Sequence, residues 1–268
     1  MKFRTEIAIP VPPFQIEPME EMLFVGSCFA DSIGQRFAEE KFRATVNPYG
    51  TMYNPASVLH TIERLLAEDE HYAPRVVFLT LGTNHVYRLK ETGEIVDNCQ
   101  KRPQKLFTEE ELSIEACVDF LQRAVDLLIA RRKDVIIVMT VSPIRYQKYG
   151  FHESQLSKAT LLLAVDRLVS AQPSLHYFPA YELVLDELRD YRFYKEDMLH
   201  PSAQAVEYIW QQLVHYYLSD TARQFLKEWE PLKKALAHRP LHPESDEYQG
   251  FLQTTTEQIA ALERKYSL

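Results

Sequence analysis

Glycine is scarce in this chain, with seven residues in 268. The scarcity leaves no glycine-rich phosphate loop. No P-loop or dinucleotide fingerprint occurs, and Gly82-Thr83-Asn84 lacks the glycine spacing that cradles a pyrophosphate. Cysteine is scarcer still. Cys28, Cys99 and Cys117 are too few and too scattered for a disulfide framework. Cys28, His85 and His200 belong to no C-x-x-C or H-x-x-x-H pair, so neither a metal nor another cofactor is expected. Basic residues are outnumbered 30 to 38, for a net charge of −8. That balance argues against nucleic acid and anionic membrane as partners, since both need basic patches. No run approaches the ~20 apolar residues of a membrane span. Residues 1–20 carry Glu6, Pro10, Pro12, Pro13 and Glu17 in place of an apolar leader core, so a cytoplasmic location is expected.

What is present suits one α/β domain with an appendage. Hydrophobic content is 46%, enough for a full core at this length. Residues 76–81 and 135–141 are continuous apolar runs, the mark of strands covered on both faces. Shorter strands are expected at 21–26, 43–46 and 175–178. Helical spacing is expected over 29–41, from Pro55 onward, over 154–170 and after His200. Residues 86–90 and 94–97 flank Thr92-Gly93 and read as a hairpin. Thr108 and Glu111 form a capping-box pattern, which predicts a helix opening there. Strands alternating with helices imply a parallel sheet with helices on both faces, in a flavodoxin-like three-layer α/β/α arrangement. Residues 1–218 form the expected catalytic domain. Residues 219–268 hold two helix-like stretches, about 220–237 and 246–265, and form the expected C-terminal extension.

Chemistry concentrates where strands should give way to helices. Gly26-Ser27-Cys28 follows the first strand, placing a hydroxyl and a thiol beside unpaired helix N-terminal amides. Such amides favour a thiolate, an alkoxide or a developing oxyanion. Gly50 and Gly82 also follow strand-like runs, so three of the seven glycines stand at expected carboxyl ends. In open parallel sheets the site lies beyond those ends. Far along the chain, Asp197 and His200 are spaced to act as orienting group and general base. The aromatic stretch 181–194 reads first as core packing and second as a sugar-stacking wall.

The string Gly26-Ser27-Cys28-Phe29-Ala30 resembles the motif of the GSCFA family, which looks like a branch of the SGNH (GDSL-like) hydrolases. Four sequence blocks carry the larger resemblance. Gly26-Ser27-Cys28 stands for Gly-Asp-Ser, and Gly50 for the glycine after the second strand. Gly82-Thr83-Asn84 stands for Gly-x-Asn-Asp, with His85 where Asp is usual. Asp197 and His200 stand for Asp-x-x-His. The alignment places Cys28 at the nucleophile position and Ser27 where Asp stands, with Ser27 remaining the alternative nucleophile.

The resemblance implies a nucleophile–His200–Asp197 site, with Asn84 and Gly50 as oxyanion donors. His85 and Arg145 are the expected substrate-binding residues. It implies acyl-ester hydrolysis, with a small-molecule ester such as an O-acetylated carbohydrate as substrate. An O-acyltransferase is the near alternative, since exclusion of water diverts the acyl group to another hydroxyl. A noncatalytic binding module is the alternative from another class. A catalytic site needs Cys28 or Ser27 near His200, with Asp197 behind it.

Overall fold

The computed structural model describes residues 4–97, 99, 102–241 and 244–267. Strand β1 (Glu21–Gly26) leads into helix α1 (Cys28–Glu39), β2 (Arg43–Val46), α2 (Pro55–Glu68) and β3 (Val76–Leu81). A small unit of β4 (His85–Leu89), β5 (Ile95–Val96) and β6 (Phe107–Glu111) follows. The chain continues through α3 (Ile114–Arg131), β7 (Ile136–Val141), α4 (Phe151–Ala171) and β8 (Leu175–Tyr177). It closes with the short α5 (Ala180–Glu182), then α6 (Ala203–Tyr217), α7 (Asp220–Ala237) and α8 (Asp246–Tyr266).

The central sheet has the order β2-β1-β3-β7-β8, and every neighbouring pair is parallel. Counting only these strands, the order is 2-1-3-4-5, the flavodoxin-like arrangement expected from the alternation of strands and helices. Side chains alternate between its faces. Met22, Phe24, Phe78 and Val138 join the layer that contains α1, α6, α7 and α8. Leu23, Val25, Leu79 and Met139 join the layer built by α2, α3 and α4. Both faces are therefore buried, which is why β3 and β7 read as unbroken apolar runs.

β4, β5 and β6 form a separate antiparallel sheet in the order β5-β4-β6. This corrects the capping-box reading at Thr108. Phe107 to Glu111 is extended and pairs with β4, Leu89 opposite Phe107 and His85 opposite Glu111. The helix instead opens one step later, where Ser113 Oγ accepts from the Ala116 N–H.

The two C-terminal helices lie where their periodicity puts them, and they belong to the core. Phe225 and Trp229 of α7 are buried with Phe37 and Phe42. Lys233 of α7 pairs with Glu40 at 2.9 Å. The extended lead-in is fastened across the molecule. The Ile16 N–H donates to Tyr217 O (2.7 Å), and the Ser219 N–H donates to Ile16 O (3.1 Å). Among the described residues no helix is long and apolar enough to cross a membrane. The connector residues His242 and Pro243 lie outside the described residues.

Candidate active site

The chain leaves β1 toward β2 on one side and returns to β3 on the other, so a crevice opens between the carboxyl ends of β1 and β3. Gly26 closes β1 at φ +144, and a Cβ there would lie 2.0 Å from Thr80 O. Only glycine lets β1 and β3 pass this closely. The next residue, Ser27, is 1% exposed. Its N–H donates to Thr80 O (3.0 Å), and its Oγ accepts from the Phe29 N–H (3.3 Å) as the N-cap of α1. Ser27 thus spends its hydroxyl on the helix terminus and on Thr80 Oγ1 at 3.1 Å.

Cys28, the first residue of α1, is half-buried. Its Sγ shares a 3.5 Å hydrogen bond with the Tyr53 hydroxyl. Burial and the neighbouring Cys28 hold the Tyr53 phenol well above its usual pKa, so the hydroxyl stays protonated. Asn47 ties the surrounding backbone together. Its Oδ1 accepts from the Gly26 N–H (2.9 Å) and its Nδ2 donates to Asp31 in the first turn of α1 (2.7 Å).

Asp197 and His200 form a closed unit. Asp197 Oδ2 lies 2.6 Å from His200 Nδ1, while Oδ1 accepts from the Leu199 N–H (2.8 Å) and the His200 N–H (2.9 Å). The two backbone N–H groups and the imidazole bring the carboxyl pKa down to about 2. An ionised Asp197 accepts from His200 Nδ1, which places a proton on that nitrogen. Met198 turns the loop at φ +58. Arg145 fastens this loop to the segment leaving β7. Its N–H donates to Leu199 O (3.0 Å) and its guanidinium to Met198 O (3.0 Å). The guanidinium also lies 4.1 Å over the Phe151 ring. Arg145 therefore braces the histidine loop. Of the aromatic stretch before it, Tyr194 is partly buried under Arg145, whereas Tyr191 is exposed.

Cys28 and Asp197–His200 both stand at the carboxyl edge of the sheet. No hydrogen bond joins Cys28 to His200; the partner of the thiol is Tyr53. Both residues expected as oxyanion donors make hydrogen bonds within the protein. The Gly50 N–H closes a turn onto Asn47 O at 2.8 Å. Asn84 is 2% exposed, and its Nδ2 donates to Leu112 O at 2.8 Å. His85 stacks on Tyr149 at 4.0 Å, and burial holds its imidazole below the usual pKa. A cavity of about 390 Å³ opens beside Tyr53, with Thr51, Thr83, His85, Tyr146 and Tyr149 in its wall. Among the described residues no group of three or more His, Cys, Asp or Glu is placed to hold a metal ion.

Two residues that the sequence reading passed over shape this site. Tyr53 had no local signal, since its role depends on α1 and the helix after Asn54 meeting in space. Lys158 did have one. Ser154, Ser157, Leu161, Ala164, Val165 and Leu168 form the buried stripe of α4, and Lys158 sits on it at helical spacing. Its Nζ donates to Gly82 O (2.6 Å) and Ser142 O (2.8 Å), the carbonyls just past β3 and β7. Ser157 Oγ accepts from the Asn84 N–H at 3.0 Å. The Gly82 and Thr83 N–H groups in turn donate to Tyr53 O at 2.8 and 2.9 Å.

The fold and this edge define a doubly wound α/β/α protein with a helix-terminal thiol and an Asp–His pair at the sheet's carboxyl end. The chain belongs to the GSCFA family. The family model matches residues 21–74 and 71–213, and that of the GSCFA domain protein, C-terminal domain, matches 229–268. No curated protein matches the chain in sequence. Among solved structures it is similar to a Clostridium thermocellum family 3 carbohydrate esterase, at 13% identity over 82% of this chain and 100% of that one, with TM-score 0.44. It is similar to an acetyl esterase mutant with acetate ion, at 10% identity over 78% and 99%, TM-score 0.45. A Talaromyces cellulolyticus carbohydrate esterase family 3 structure shares 9% identity over 78% and 99%, TM-score 0.43.

Proposed function

We propose that the protein is an acyl-ester hydrolase that removes a small acyl group, such as acetyl, from a carbohydrate-type substrate. The observation that carries this reading is the Asp197–His200 pair. The carboxylate is fixed on three sides, so the imidazole is held in one tautomer with Nε2 free to take a proton. Such a pair at the active edge of a doubly wound sheet has an obvious use as orienting acid and general base.

Cys28 is the nucleophile in this reading, because Ser27 is buried and occupied as a cap. The Cys28 thiol gives its proton to His200 Nε2, and the sulfur attacks the ester carbonyl. A C–S bond forms as the carbonyl π pair moves onto oxygen. The N–H of Cys28, first in α1 and without an acceptor inside its helix, is one donor to that oxyanion. Collapse breaks the ester C–O bond, and the alkoxide leaves with the proton from Nε2. Water, activated by the same imidazole, then cleaves the thioester. Gly50 and Asn84 act by fixing the loops around the site, and His85 by walling the cavity for the alcohol part of the substrate.

The test is release of acetate from p-nitrophenyl acetate and from acetylated monosaccharides, comparing the wild type with Cys28→Ala and His200→Ala. Hydrolysis by the wild type and its loss in both variants support the assignment. Wild-type rates in either variant would remove it. Acyl transfer to an added sugar in preference to water would instead support the transferase alternative.

A further inference from the structure

We propose that Tyr53 is a catalytic residue, whose hydroxyl is the side-chain donor that stabilises the oxyanion formed on attack by Cys28. The inference rests on the acyl-transfer reading above and adds a residue to it. Three observations carry it. The Tyr53 hydroxyl is the side-chain group in hydrogen-bond contact with Cys28 Sγ, at 3.5 Å. The Gly50 N–H is bonded to Asn47 O, and the Asn84 amide, 2% exposed, gives one Nδ2 proton to Leu112 O. Tyr53 also lines the cavity of about 390 Å³, where an acyl substrate has room.

The geometry suits the step. When Sγ bonds to the carbonyl carbon, the new oxyanion lies two bonds from sulfur. A hydroxyl that reaches sulfur in the free protein is then in range of an oxygen on the same carbon, and an oxyanion donor works at about 3 Å. The hydrogen bond passes from sulfur to oxygen as charge moves the same way. No proton is transferred, and Tyr53 O–H remains intact through collapse to the thioester. A donor whose bond strengthens only as charge develops lowers the barrier without tightening ground-state binding.

Tyr53 is also held for this task through its backbone. Its carbonyl receives the Gly82 and Thr83 N–H groups, and the Gly82 carbonyl is gripped by Lys158 Nζ. The buried Lys158 thus positions Tyr53 from beneath. Replacing the phenol with a phenyl ring leaves these backbone bonds in place. Tyr53 is 42% exposed and belongs to neither core cluster, so Tyr53→Phe leaves the core untouched.

The experiment compares wild type, Tyr53→Phe and Cys28→Ala in p-nitrophenyl acetate hydrolysis, and measures alkylation of Cys28 by iodoacetamide in the first two. Alkylation displaces iodide and forms no oxyanion, so it reads the thiol alone. We expect Tyr53→Phe to lower kcat by about 10²–10³-fold with KM within about twofold. Its alkylation rate should stay within about threefold of wild type. A Tyr53→Phe kcat near wild type, with Cys28→Ala inactive, overturns the Tyr53 assignment and leaves the nucleophile standing. Equal losses in turnover and alkylation also overturn it, since Tyr53 would then act on the thiol. An active Cys28→Ala removes the nucleophile reading and this proposal together.

Discussion

Lys158 Nζ lies 2.6 Å from the carbonyl oxygen of Gly82, inside the protein and far from any carboxylate partner in hydrogen-bond reach. Burial brings its pKa down to about 7. In the unfolded chain the amine keeps its ordinary high value, so between these two pKa values the unfolded state binds more protons. Stability must therefore rise with pH above about 7. Denaturant midpoints of the wild type should increase from pH 7 to 9, and those of Lys158→Met should stay flat. A flat wild-type profile would show that Lys158 remains charged when buried.

The Asp197 carboxyl, fixed by two backbone N–H groups and the imidazole, stays ionised down to about pH 2. Its pairing is present above the ordinary Asp range and is lost only as pH falls through that low value. The acid limb of the pH profile for kcat/KM therefore should not belong to Asp197. His200→Ala should abolish turnover, and Asp197→Asn should lower kcat by about 10⁴-fold by freeing the wrong tautomer. An Asp197→Asn variant with unchanged kcat would detach the pair from catalysis.

The three cysteines should separate cleanly by alkylation. Cys117 is buried, which pushes its thiol up to about 12, and burial also raises Cys99. Cys28 is reachable at the start of α1. Mass spectrometry after brief iodoacetamide treatment at pH 7.5 should find Cys28 labelled first and Cys117 last. Cys117 labelled ahead of Cys28 would contradict this placement.

His85 tests the use of the cavity. Its ring stacks on Tyr149, which is held in turn by Lys148 Nζ at 2.8 Å. His85→Phe keeps the stack and should keep the melting temperature, whereas loss of its polar edge should raise KM for a sugar ester more than for p-nitrophenyl acetate. Equal KM changes for both substrates would mean that the alcohol part does not sit there.

Trp229 tests the C-terminal helices. It is 3% exposed, with its Nε1 donating to Glu39 O at 3.4 Å. Trp229→Ala should cost about 3–5 kcal/mol of stability, the usual range for a buried aromatic. Turnover per folded molecule should hold, because Trp229 meets α1 at Glu39, the opposite end of that helix from Cys28. A variant with wild-type stability would show these helices to be detachable.

The fold was legible wherever burial was two-sided. Residues 76–81 and 136–141 read as inner strands, because nearly every position is apolar when both faces are covered, Thr80 and Thr140 excepted. β6 was opaque for the converse reason. Its sequence Phe-Thr-Glu-Glu-Glu buries only Phe107 well and pairs along one side, so no alternation announces it. The glutamates there resemble a helix start, and Ser113 does the capping instead. In the site, Asp197 and His200 drew notice through the Asp-x-x-His resemblance, and their three-residue spacing closes a local hydrogen-bonded loop. Ser27 and Cys28 were left open by sequence and differ once burial is known. Tyr53 was invisible because its contact joins segments 25 residues apart. Lys158 was readable by periodicity alone, yet a lysine on an apolar stripe looks like noise until its two carbonyl partners are seen.

The clasp at Ile16 has a consequence for how the protein is made. Residue 16 emerges from the ribosome early, but its partners Tyr217 and Ser219 come some two hundred positions later; Ser219 Oγ to Glu17 alone spans 202. The same delay applies to Phe37 and Phe42, whose cover includes Phe225 and Trp229. During elongation one side of the nascent sheet thus has only α1 for cover, while the other side, closed by α2, α3 and α4, can settle first. The growing polypeptide is therefore lopsided, and the half awaiting its last helices is the half that chaperones must shield.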